Sequence, residues 1–261
     1  MVQLITKIKA AADVQDSDVR RMYSVYQSNY DATSFADFKD DLGEKTFVIQ
    51  LVTEDDLIVG FTTLAWYPVQ HPVTGEPLRI VYSGDTIIEP AYWGTQALPA
   101  AWCHLAGELK ARFPRERLLW FLIVKGYRTY RYLPLFTRSY YPSFDQKADD
   151  FKSVADLLAR KKFGSLYDSE SGVVHFPVSK GHLNPELASV KDHLRAKPDV
   201  AFFFERNPGY VRGDELVCLT ELSVQNMKSV ALRAFMEGSL HANEQIGGGM
   251  ATASAVAQNL A

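Results

Sequence analysis

Two carboxylates, Asp85 and Glu89, stand four residues apart in a run rich in apolar and β-branched residues. That run, Leu78 to Ile88, reads as a strand, so both side chains point to one face. Immediately after them the chain continues Pro90, Ala91, Tyr92, Trp93, Gly94, Thr95, Gln96, Ala97, and there the apolar period changes from two to about 3.6. A strand therefore turns into a helix at a glycine. The first N–H groups of a helix have no internal partner and lie at the positive end of its dipole, so such a turn can receive an anion. Further on, Tyr127, Tyr130 and Tyr132 alternate with Lys125, Arg128 and Arg131. Tyrosine can donate a proton and a cation can contact phosphate, while the rings also pack and long cations also cover solvated surface.

Other chemistries lack their residues. There is no Gly-x-Ser-x-Gly turn, no phosphate loop ending in Gly-Lys-Ser/Thr, no Gly-x-Gly-x-x-Gly after a strand and no His-Glu-x-x-His. His175 and His182 are seven apart in a loop pattern and His193 follows on a helix, which reads as surface or packing histidine, and no metal site is expected. Cys103 and Cys218 each sit in an apolar segment, as reduced packed thiols do. The 28 basic and 31 acidic residues are interspersed and give a formal net charge of -3, so neither nucleic acid nor an anionic membrane is an expected partner. No apolar run reaches membrane-spanning length and the first residues do not read as a secretion signal, from which a cytoplasmic location is expected.

The elements that must hold these residues follow from pattern. Leu4 to Ile8 alternates as a strand, and Val19, Met22, Tyr23 and Tyr26 recur at helical spacing behind Asp16. Ser34 caps a second helix carrying Phe35, Phe38 and Leu42, which stops at Gly43. Thr46 to Val52 and Leu57 to Trp66 form an antiparallel hairpin about Glu54-Asp55-Asp56, and Leu78 to Ile88 follows. The helix that starts near Thr95 carries Leu98, Trp102, Leu105 and Leu109 and ends by Pro114. Leu118 to Val124 is a continuous apolar run of the kind buried inside a sheet. A short aromatic helix over Tyr127 to Phe136 bends at Pro134. Helices are expected at Val154 to Lys161 and Pro185 to Arg195, paired strands at Val200 to Phe204 and Leu216 to Leu219, and a last helix at Val224 to Met236. The aromatics Phe202, Phe203, Phe204, Phe136, Tyr140, Tyr141 and Phe144 could line a long or aromatic pocket, although such clusters are ordinarily core.

This order of elements resembles the GNAT superfamily of N-acyltransferases, and Thr86-Ile87-Ile88-Glu89-Pro90-Ala91-Tyr92-Trp93-Gly94 resembles that family's central strand entering its acyl-CoA-binding turn. The resemblance covers about Leu4 to Pro142 and, more loosely, Val200 to Leu219. It implies an α/β fold with a GNAT-like mixed, twisted central sheet flanked by helices. Residues 1–240 would form a single acyltransferase domain with an insertion at 143–199 before the last strands, and 241–261 a flexible C-terminal tail.

The resemblance further implies transfer of an acyl group from a thioester to an amine. Glu89 or Asp85 would act as base, Tyr130 or Tyr132 as acid, and Trp93, Gly94, Thr95, Gln96, Ala97, Lys125 and Arg128 would hold the donor. Trp93 stands where the family has a basic residue, and Gln96 and Leu98 where it has small ones. Three readings stay open: a shifted turn that binds acetyl-CoA or another acyl-CoA, a donor presented on the phosphopantetheine arm of an acyl carrier protein, or a GNAT-like ligand- or partner-binding protein without catalysis.

Overall fold

A computed structural model describes residues 3–145 and 149–258. The first alternation forms edge strand β1 (Leu4–Ala10), and the helical spacing behind it forms α1 (Asp16–Gln27). A two-residue strand β2 (Tyr30–Asp31) leads to α2 (Phe35–Gly43), whose N-terminus is capped as expected: the Ser34 hydroxyl accepts from the Asp37 N–H. Strands β3 (Phe47–Thr53), β4 (Ile58–Gln70) and β5 (Pro77–Ile88) then form an antiparallel meander. Helix α3 (Ala97–Arg112) crosses to β6 (Arg117–Val124), which returns parallel to β5. The aromatic segment divides into α4 (Tyr127–Tyr130) and α5 (Tyr132–Phe136), which meet at Arg131. Then come β7 (Tyr140–Tyr141), α6 (Asp149–Phe163), β8 (Tyr167–Asp168), β9 (Val173–Val174), β10 (His182–Leu183), α7 (Pro185–Ala188), α8 (Asp192–Arg195), α9 (Pro198–Arg206), β11 (Glu215–Glu221) and α10 (Ser229–Gln258).

The sheet runs β1-β3-β4-β5-β6-β11-β9-β8, with β7 also paired to β11 and every pairing antiparallel except β5 with β6. Helices cover both of its faces, which is why β6 reads as an uninterrupted apolar run. One face carries α1 and α2, through Val19, Met22 and Phe38 on Val48, Phe61 and Ile87, and α6, through Phe151, Val154 and Leu158. The other carries α3, through Leu98, Trp102 and Leu105, together with Val200 and Phe203 of α9 and Phe235 of α10. The fold is thus the mixed, helix-flanked sheet expected from the sequence. Cys103 and Cys218 are free and buried in it.

One expectation is corrected. Val200 to Phe204 is helical, not a strand paired to Leu216 to Leu219: Pro198 occupies the first turn of α9, and burying Val200 and Phe203 three apart suits a helix. The partners of β11 are β6, β7 and β9 instead. The segment 143–199, expected as an insertion, joins the rest of the fold: β9 extends the main sheet, β10 pairs with β2, and α6 covers the sheet. Of the expected tail at 241–261, residues 241–258 continue α10 and 259–261 lie outside the described residues.

Helices α3 and α10 touch at backbone distance. A Cβ on Gly107 would collide with the Phe235 carbonyl, and one on Gly238 with the His104 carbonyl. The Ser239 hydroxyl donates to the Gly107 carbonyl at 3.0 Å. Gly107→Ala should therefore force the helices apart and cost about 2 to 3 kcal/mol of stability, seen as a lower urea midpoint at unchanged slope.

Candidate functional site

The β5·β6 pairing ends at Ser83 with Leu122, although β5 continues to Ile88 and β6 to Val124. Beyond that point β5 stays on β4, as far as Ile88 with Gly60, while β6 stays on β11, as far as Val124 with Leu216. The two parallel strands splay, and their ends frame a cleft of about 880 Å³. At the fork the Trp120 indole donates to the Ser83 hydroxyl at 2.8 Å, and just past it Thr62 and Thr86 share a hydrogen bond of 2.7 Å.

The register slips here too: Thr62 faces Thr86 but Leu64 faces Ser83, so Gly84 and Asp85 bulge opposite Thr63. Gly84 has a steric reason. A Cβ there would press on the Thr63 hydroxyl and on Cε of Lys45, 2.6 Å away, because the buried Lys45 passes beneath the bulge to Asp41, with Nζ 2.5 Å from Oδ2.

Asp85 lines the cleft floor, half-buried. Its pKa is pushed up to about 6, by burial first and then by the charge of Asp41, with Lys125 and Lys45 opposing and Glu215 adding to the rise. Lys125 and Glu215 face it across the fork, with Nζ 3.4 Å from Oε1 and both side chains largely buried. Burial works against the Lys125 charge, but Glu215, Tyr30 and Asp85 together hold its pKa above the ordinary lysine value. Burial likewise raises Glu215, with Lys125 opposing. Tyr26 and Tyr30 line the same floor, Tyr30 under the Lys125 ammonium at 5.3 Å, and burial raises both phenols. Asp37, Asp40, Asp41 and Glu44 line the wall along one stripe of α2 and its end.

The remaining expected residues separate. Glu89 is absent from the cleft lining and is held by Arg21, with Nη2 2.5 Å from Oε1. Tyr130 is fully buried and donates to the Pro142 carbonyl at 2.8 Å, so the structure places it in the core and not in the cleft. Tyr132 does line the cleft, burial raises its pKa, and its hydroxyl makes no hydrogen bond among the described residues. Trp93, Gly94, Thr95 and Gln96 line the mouth, whereas Ala97 lies behind them. The Trp93 indole donates to the Ile88 carbonyl at 2.7 Å, and Gly94 has φ +89°. Ala97 donates to the Thr95 hydroxyl at 3.2 Å, and Pro99, at the third position of α3, has no N–H. Arg128 stacks over Trp93 at 5.4 Å and donates to the Leu187 carbonyl at 2.7 Å. Lys125, expected as a phosphate contact, lines the cleft and pairs with Glu215.

Sequence reasoning missed Glu215, Tyr26, Tyr30 and the α2 stripe. The stripe had a signal in the helical spacing of Asp37, Asp40, Asp41 and Glu44, and Glu215 in being a charge that opens an apolar strand.

No family model matches the chain, and neither does any curated protein. Solved structures similar to part of it include a protein of Enterococcus faecalis V583 described as a probable N-acyltransferase, 14% identical with a TM-score of 0.39, the match covering 52% of this chain and 33% of that one. A second is an acetyltransferase of Trypanosoma brucei, 15% identical with a TM-score of 0.38, covering 56% and 99%. A third is a GNAT family N-acetyltransferase of Escherichia coli in complex with CoA, 16% identical with a TM-score of 0.36, covering 52% and 69%. The match thus spans about a third of the length of the first of these.

The Asp85 environment fixes a pH dependence. A carboxyl whose folded pKa lies above its unfolded value contributes stability that is complete below about pH 4 and lost as pH rises through about 6. Asp85→Asn should therefore melt higher than the wild type at pH 7.5, and the difference should close as pH is lowered to 4 in paired thermal scans.

Proposed function

We propose that the chain is an acyltransferase that moves an acyl group from a thioester donor to an amine in the β5/β6 cleft. The observation that carries this is the placement of Asp85, a carboxylate with pKa about 6, on the floor of a splayed parallel strand pair whose mouth is the N-terminal turn of α3. Beyond Ser83 the β5 backbone has lost its β6 partners, so it can bond an extended donor arm and polarise the thioester carbonyl. Asp85, ionised at neutral pH, takes a proton from the incoming ammonium, directly or through water. The neutral amine attacks the carbonyl carbon, the nitrogen of the tetrahedral intermediate sheds its extra proton, the carbon–sulfur bond breaks, and the leaving thiolate takes a proton. In this reading Tyr132, a cleft residue whose phenol burial keeps protonated, gives that proton and regains one from the nitrogen, directly or through water.

The donor is a thioester of CoA or of a carrier protein's phosphopantetheine arm. Its phosphates would meet the Gly94 turn and Arg128, a thinner cradle than a full helix N-terminus, because Thr95 takes one N–H and Pro99 removes another. That same thinness supports a second reading, a ligand-binding protein of this fold without transfer.

The test is thiol release from acetyl-CoA and a long-chain acyl-CoA with a panel of amines, beside direct CoA binding. For the enzyme reading, turnover rises with pH through an apparent pKa near 6, and Asp85→Asn and Tyr132→Phe each lower it by about 100-fold or more while the CoA affinity is retained. Glu89→Gln and Tyr130→Phe leave the pH profile in place. Binding without turnover supports the second reading, and neither binding nor turnover with CoA thioesters or a loaded carrier protein rejects the first.

A further inference from the structure

Away from the cleft, the crossing of α3 and α10 brings an imidazole and a carboxylate of one helix to an imidazole of the other, far along the chain. His104 and Glu108 are four apart on α3, and His241 of α10 is 133 residues beyond Glu108. Glu108 Oε1 lies 2.7 Å from Nδ1 of His241 and 3.6 Å from Nδ1 of His104, and the two rings are 5.7 Å apart. One ligand-capable atom from each residue falls within 4.8 Å of the others.

We infer that His104, Glu108 and His241 bind a zinc-class divalent transition metal ion that clamps α10 to α3. With metal–nitrogen and metal–oxygen bonds near 2.1 Å, tetrahedral donors sit about 3.4 Å apart, a spacing that the two Glu108 distances bracket. Two imidazoles and a carboxylate suit zinc and its neighbours over magnesium or calcium, which favour all-oxygen shells. The helix positions are fixed independently of these side chains, because Gly107 and Gly238 set the backbone approach and lie within one turn of the three donors. Glu108 is mostly covered while His241 is half-exposed, so an ion can enter from solvent and keep a water as fourth ligand. The site is separate from the proposed transfer chemistry and does not depend on it.

The experiment uses the full chain, purified without a histidine tag and treated with chelator. Zinc is titrated in competition with a chromophoric chelator, and thermal scans are run with zinc or with magnesium. One zinc should bind per chain, and at zinc about 100 times its Kd the midpoint should rise by about 5 to 10 °C, with no rise in magnesium. Glu108→Gln, and separately His104→Ala with His241→Ala, should lower zinc affinity by at least about 100-fold with the metal-free circular dichroism unchanged. His175→Ala with His182→Ala should leave it intact. The inference is overturned if zinc produces no shift, leaving the cluster as a hydrogen-bonded latch, or if the shift survives in the His104 and His241 double variant.

Discussion

The structure turns on the point where β5 and β6 stop pairing. Each strand keeps its outer neighbour past that point, so the sheet does not fray; it opens along one seam only. A parallel ladder that ends inside a folded domain leaves backbone donors and acceptors facing each other across a gap. The surroundings hold the gap at a defined width. Trp120 ties the last paired residues together, the bulge at Gly84 and Asp85 swings β5 aside, and Lys45 fills the space beneath.

The charges around the seam follow the same logic. Lys125 with Glu215 is an ion pair largely removed from water, and such pairs offset little more than their own desolvation, while the buried Lys45 reaches an Asp41 that stays partly exposed. Their effect is local: they fix the potential felt by the one carboxylate between them. Asp85 ends with a pKa near neutrality because burial and Asp41 push one way and two ammonium groups pull the other. Moving any one of these partners would retune it without touching it.

Much of this was legible in the residues. Alternation and helical spacing located the strands and helices up to Val124, because each buries one face against a neighbour close in sequence. Ser34 and Gly43 marked α2 correctly, and the carboxylate at 85 fell on the strand where it was sought. What escaped depended on distant partners. Phe202 to Phe204 is apolar enough for either period, and only its neighbours in the core decide for a helix. Asp85 and Glu89 look equivalent in sequence, but Arg21 of α1 captures one and leaves the other. Tyr130 and Tyr132, two apart, divide between core and cleft because Arg131 ends one short helix as it begins the next. His104 and Glu108 share a helical spacing, but nothing local joins His241 to them, since a helix crossing completes the cluster.

Trp93, at the mouth of the cleft, hydrogen-bonds to the end of β5 and lies under Arg128. A lysine or arginine at that position would sample many rotamers and lose them on meeting an anion. The indole is tied to the Ile88 carbonyl, and the guanidinium is stacked on it and bonded to the Leu187 carbonyl. Whatever enters the mouth of the cleft therefore meets a rim already held in place, and the entropic cost of arranging it belongs to folding.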